Sequence, residues 1–222
     1  MKHLTFYFDP ISPFAYLAFE QLPRALDGVS VSVDYQPVLF AAMLAHWGQK
    51  GPAEIEPKRA WTFRHVHWQA HRADIAIDTP AQHPFNPLAL LRLAIACAPE
   101  GCTPSRWTVE QIFRHVWQGG ADANDPARLA ALAQRLARQR DPASDAVKQA
   151  LKQASSQAVA RGVFGVPTIA FGERLFWGVD ALEMLAAALR GDPWFDGPAW
   201  DAAGHAPPGV QRTVAKGPPG NP

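Results

Sequence analysis

Phe8-Asp9-Pro10-Ile11-Ser12-Pro13-Phe14-Ala15-Tyr16-Leu17 is the stretch on which the fold turns. Before it, His3 to Phe8 has the composition of a strand; after it, Phe14 to Leu26 is an apolar run of helical character. Two prolines break the strand, and Ser12 followed by Pro13 is an N-cap with proline at the first helical position. Asp27-Gly28 ends the helix, and Val29 to Val38 alternates as a second strand. The opening unit is therefore strand, helix, strand.

From Leu39 to about Arg161 the strand signals vanish. Helix starts recur there as a polar residue followed by proline, at Asn86-Pro87, Thr103-Pro104, Asp125-Pro126 and Asp141-Pro142. Arg128 to Arg138 and Ala146 to Ala160 carry apolar positions at helical spacing, and Gly162 is a C-terminal stop. Strand character returns in Gly165 to Phe171, and Gly172-Glu173-Arg174 turns the chain into Leu175-Phe176-Trp177, a β-hairpin. Gly178-Val179-Asp180 leads to a last amphipathic helix with Leu182, Met184, Leu185 and Leu189 as its apolar side. Beyond Gly191 the chain is rich in proline and glycine and reads as an extended tail on which Trp194, Phe195 and Trp200 offer anchors. This order predicts an α/β chain: a thioredoxin-like domain over 1–38 and 162–190, an all-helical insertion over 39–161, and a tail over 191–222.

With 222 residues, 48% of them hydrophobic, the chain can bury a sizeable core. Its 21 basic and 20 acidic side chains leave a net charge of +1 and no basic stripe, which argues against nucleic acid as a partner. Asp9 interrupts the N-terminus before any apolar stretch of signal-peptide length, and the weakly charged run around Leu88 to Ala98 is too short to span a membrane. A cytoplasmic protein without membrane contact is the expectation. Cys97 and Cys102 have neither the spacing nor the position of a redox pair.

Ser12 places a hydroxyl and free backbone N–H groups at the positive end of a helix dipole, a location that favours an anion. A bound thiolate would gain a hydrogen bond and electrostatic stabilisation there, lowering its pKa. The same Ser-Pro pair also serves as an ordinary helix cap, and the two roles are compatible. Pro167 at the start of a strand is unusual unless it makes a bend or a binding edge, and a cis Val166-Pro167 bond would account for it.

The segment Phe8 to Leu17 resembles the signature of 2-hydroxychromene-2-carboxylate isomerases and kappa-class glutathione transferases, in the DsbA-like branch of the thioredoxin superfamily. Gly162 to Thr168 together with Phe176-Trp177-Gly178-Val179-Asp180 is similar to their glutathione-binding end, so the resemblance spans roughly residues 3 to 190. It implies glutathione as cofactor, its sulfur on Ser12. It further implies a backbone pairing at Val166 beside Pro167, and the γ-glutamyl amino group on Asp180, next to Val179. Gln49 stands where the family carries an asparagine for glutathione. Lys58 would meet a carboxylate of glutathione or of the substrate, or else be a surface lysine. Asn86 and Arg92 match a family segment near the active cleft and would contact substrate, Asn86 serving equally as a helix cap. The implied activity is isomerisation of a small aromatic-catabolic intermediate by transient thiolate addition, in a homodimer.

Three other readings stand beside it: a kappa-like transferase, a DsbA-like oxidoreductase that the absence of cysteine near Ser12 argues against, and a binding module without catalysis. His65, His67 and His71 lie on a helix-like segment with Trp61, Phe63 and Trp68 and read as an aromatic packing surface, not a metal site.

Overall fold

A computed structural model describes residues 1–207 and residue 209. Strand β1 (Lys2–Phe8) is followed by helix α1 (Pro13–Ala25) and strand β2 (Val31–Pro37). Helices α2 (Phe40–His46), α3 (Glu56–Ala73), α4 (Leu88–Ala96), α5 (Arg106–Trp117), α6 (Pro126–Arg135) and α7 (Asp145–Ala160) come next. The hairpin β3 (Thr168–Phe171) and β4 (Arg174–Trp177) and helix α8 (Leu182–Arg190) close the domain. The sheet order is β2-β1-β3-β4, with β1 parallel to β2 and the other two pairings antiparallel. This mixed sheet, with its parallel β-α-β start, is the thioredoxin arrangement that the order of elements predicts.

Alternation along β1 sends successive side chains to opposite faces of the sheet. Leu4, Phe6 and Phe8 join one core with Tyr16 and Phe19 of α1, Phe113 of α5 and Leu185 of α8. Tyr7 points the other way, into a smaller core with Met43 of α2, Ala158 of α7 and Val166. β3 repeats the division, Ile169 with the first core and Ala170 with the second. The large core takes residues from the helical block and the sheet domain alike, so the inserted helices complete the sheet's hydrophobic layer.

Side-chain caps start α1, α5, α6 and α7. Asp125 accepts the Arg128 N–H at 2.8 Å, as the Asp-Pro pair predicts. At two other places the cap falls later than the proline signal: Ser105 caps α5 by accepting the Thr108 N–H at 3.2 Å, and Ser144 caps α7 by accepting the Val147 N–H at 3.4 Å. Asp141 is occupied otherwise, accepting the Ala143 N–H at 2.9 Å in a local turn. Met184, assigned to the apolar side of α8, is 37% exposed, whereas Leu182, Leu185 and Leu189 are buried.

Beyond Gly191, where composition suggests extended chain, Pro193–Asp196 forms a 3-10 turn and Pro198–Ala203 a short helix, α9. Phe195 is buried against Phe176 and Trp200, at ring-centroid distances of 6.1 and 5.4 Å. Arg174 fastens the turn by donating to the Phe195 carbonyl and the Asp196 carboxylate, each at 2.7 Å. No helix among the described residues is long and apolar enough to cross a membrane.

Candidate active site

Ser12 is the N-cap of α1, in extended backbone at φ −88° and ψ 115°. Its Oγ accepts the Ala15 N–H at 3.2 Å and donates to the Val166 carbonyl, also at 3.2 Å and 154 residues away in sequence. The Val166–Pro167 bond is cis. The Pro167 carbonyl in turn accepts the Gly178 N–H at 3.0 Å, which sets Val179 and Asp180 beside the proline. Thus Ser12, Val166 and Pro167, distant in sequence, meet at one end of the sheet, and the Gly178 turn leads from Pro167 to Val179 and Asp180. Val179 packs with Leu17 of α1 and Val66 of α3, and Asp180 is exposed.

Gly178 is required by this arrangement. Its φ is +98°, and a Cβ added there would fall 2.4 Å from Asp180 Oδ1. The Asp180 carboxylate consequently lies folded back over the glycine. It is not the cap of α8, whose N-cap position is Ala181 with no side-chain cap bond.

The loop bearing Ser12 is pinned carbonyl by carbonyl. The Asp9 carbonyl accepts the Ser12 N–H at 3.0 Å, the Pro10 carbonyl the Trp117 indole N–H at 2.9 Å, and the Ile11 carbonyl the His83 Nε2–H at 2.9 Å. Burial holds His83 below the usual imidazole pKa, so its neutral form makes that bond. The Asp9 carboxylate accepts the Ile11 N–H at 3.0 Å and the Phe40 N–H at 2.9 Å, tying the Ser12 loop to the start of α2. Asp9 is fully buried, and desolvation outweighs those two bonds to push its pKa up to about 7. Sequence reasoning missed Asp9, His83 and Trp117 as supports of the site. The aspartate just past an apolar strand was the one signal that could have found them.

The remaining candidates do not join this cluster through any hydrogen bond among the described residues. Gln49 is exposed in the turn after α2, where its N–H donates to the Leu44 carbonyl at 2.8 Å. Lys58 is exposed in the first turn of α3. Asn86 Oδ1 accepts the Leu88 N–H at 3.1 Å in a local turn ahead of α4, whose N-cap position is Pro87. Arg92 lies in a different concavity, lined by α2, α4 and α7.

His67 Nε2 pairs with Thr79 Oγ1 and His65 Nε2 with Gln69, both at 2.9 Å. His65 sits between Trp61 and Trp68 and edge-on to Phe14 of α1, so these rings form an aromatic ladder along the outer face of α3. Cys97 and Cys102 are unpaired, and burial drives the Cys97 thiol up to about 11.

A capped helix N-terminus facing a cis-proline edge, on a mixed sheet in the order above, defines a protein of thioredoxin fold. The chain belongs to the family described as the DSBA-like thioredoxin domain, whose model matches residues 3–190. It is 27% identical over 203 residues to a 2-hydroxychromene-2-carboxylate isomerase of Sphingobium xenophagum, covering 85% of this chain and 98% of that protein. It is 24% identical to human glutathione S-transferase kappa 1, over 87% and 92% of the two chains. Among solved structures it resembles a 2-hydroxychromene-2-carboxylate isomerase with a TM-score of 0.75 at 23% identity, covering 87% of this chain and 97% of that one. That likeness carries the fold.

Proposed function

We propose that this protein is a glutathione-dependent isomerase acting on a small aromatic carboxylate of the 2-hydroxychromene-2-carboxylate type. The observation that carries the reading is the bond from the Ser12 hydroxyl to the Val166 carbonyl at the mouth of α1. The relatives named as isomerases and as a glutathione transferase supply the chemical context.

The donor set suits a tripeptide thiol. Val166 offers main-chain groups beside Pro167, and Asp180 offers an exposed carboxylate for an ammonium, held over Gly178 in space that a Cβ there would take. Glutathione, when bound, would supply a thiolate nucleophile for transient, reversible addition to a conjugated double bond, which permits rotation with no net redox change. Ser12 keeps its bond from Ala15 and redirects its hydroxyl proton from the Val166 carbonyl to the sulfur. The Val166 carbonyl is then free to accept an amide N–H of the peptide. α1 contributes its positive end, which favours the ionised sulfur. Pinning of the Pro10 and Ile11 carbonyls holds the hydroxyl in place with little reorganisation. Gln49 and Lys58 extend the site along the α2–α3 loop, and Asn86 serves the substrate side.

The test is to incubate the protein with 2-hydroxychromene-2-carboxylate, with and without glutathione, and to follow absorbance and mass. Turnover that requires glutathione, is lost in Ser12→Ala and leaves the substrate mass unchanged is the expected result. A stable adduct would instead assign transfer, the activity named for the human kappa relative. Equal turnover without glutathione would overturn the reading. A cytoplasmic location and a homodimer belong to the same proposal; light scattering on the eluting species tests the dimer.

A further inference from the structure

The second concavity is a cleft of about 620 Å³ between α2, α4 and α7, within the size range of small-ligand sites. Its walls are aliphatic: Leu39, Leu88, Leu151 and Val159 line it. Its charged lining residues are Arg92, Lys148 and Lys152; His46, Ser155 and Ser156 also line it, and no carboxylate does.

Arg92 is the anomaly. α4 reads Leu88-Ala89-Leu90-Leu91-Arg92-Leu93-Ala94-Ile95-Ala96, so one guanidinium interrupts an otherwise apolar helix. Its Nε is buried and has no hydrogen-bond partner, and among the described residues Arg92 makes no ion pair. A half-buried guanidinium with one sealed, unpartnered donor favours an acceptor beside it. Lys148 reaches only the exposed Asp145, and Lys152, four residues on along the same face of α7, has no carboxylate partner among the described residues. Three cations thus line one cavity that has no carboxylate in its lining, and one of them has a sealed donor without a partner.

The cleft is not the Ser12 site. α2 stands between them: Met43 packs on its inner side with Val163 and Val166, while Ala42 and His46 face the cleft. Neither Ser12, Val166 nor Pro167 contributes to the lining. The polarity within the cleft also orders a ligand. Arg92, Lys148 and Lys152 take the anionic end, and Ala42, Val159 and Ala160, beside the last turn of α7, take the apolar body. The carbonyl end of that helix disfavours an anion there.

We propose that this cleft is a second binding site, separate from the thiol site, for an organic carboxylate with an aliphatic body. Octanoate is the probe, with 1-octanol as its uncharged counterpart. Titration calorimetry on the intact chain should give one saturable site for octanoate, unchanged by saturating glutathione and by Ser12→Ala. Amide shifts in nuclear magnetic resonance should cluster at Ala42, Leu88 and Leu151. Affinity should fall at least tenfold in Arg92→Met and in Lys152→Met; the exposed Lys152 keeps the test valid if the change at the half-buried Arg92 impairs folding. Absence of saturable binding by the wild type, retention of affinity in both variants, equal affinity for octanol, or displacement by glutathione would each overturn the proposal. The Ser12→Ala arm separates its failure from failure of the glutathione reading.

Discussion

Ser12→Ala separates the two roles of this hydroxyl. As a cap, Ser12 satisfies the Ala15 N–H, and losing such a cap costs about 1 kcal/mol. The Val166 carbonyl also loses its donor, worth about 1 kcal/mol more in a buried setting. A chain of this length loses about 2–4 °C of Tm per kcal/mol, so the melting temperature should drop by roughly 4–8 °C. The chemical role predicts something else. A hydrogen bond to a charged sulfur contributes about 1.5–3 kcal/mol, so its removal should raise the pKa of bound glutathione by about 1–2 units. At pH 7 the rate should then fall about tenfold to a hundredfold, and raising the pH should recover most of it. Ser12→Thr, which keeps a hydroxyl, should retain the wild-type pH profile even if its cap is weaker. The assay is the pH dependence of turnover at saturating glutathione, run beside thermal melts. If Ser12→Ala shows the calculated loss of Tm while the acid limb of its pH profile stays at the wild-type position, the hydroxyl is only a helix cap and the thiolate argument fails.

Asp9, with its pKa pushed up to about 7, keeps its proton in the folded chain while the unfolded chain gives it up near the usual carboxyl value. Its contribution to stability therefore declines as pH rises from about 4 to 7, by a few kcal/mol at about 1.4 kcal/mol per unit, and is level above that. Asp9→Asn should remove this decline in denaturant titrations across the window, and parallel slopes for both proteins would refute the assignment. Gly178→Ala forces a positive φ on a residue with a Cβ and drives the Asp180 carboxylate from its place. Calorimetry should show glutathione affinity reduced about tenfold or more, the scale of one charge-assisted hydrogen bond; unchanged affinity would remove Asp180 from the site. Phe195→Ala should destabilise the fold by about 3–5 kcal/mol by chemical denaturation, since its ring fills the core beside Phe176. A loss below about 1 kcal/mol would mean that the C-terminal turn contributes little. In Ser12→Cys, the new thiol at the helix N-terminus should alkylate at neutral pH well before Cys97, whose burial holds its pKa near 11; mass mapping that finds Cys97 labelled first would contradict both environments.

Local rules made much of this protein legible. The break at Asp9-Pro10, the Ser12-Pro13 cap, the hairpin and the stop at Gly162 follow from dihedral preferences and short-range hydrogen bonds, which neighbouring residues decide among themselves. The same rules placed a proline at a strand edge without saying what it faces. Only the sheet order β2-β1-β3-β4 carries Val166 to the hydroxyl of Ser12, because a contact across 154 residues is set by the packing of whole layers. Tertiary structure likewise decided that Asp9 is sealed from water and that Phe195 turns inward and bends a proline-rich segment into helix. It also decided that Arg92 faces a cleft with no acid in its lining. In each case burial or a distant partner outweighs local preference, since desolvation and apolar packing depend on every element that surrounds a residue and leave no mark on its sequence neighbours.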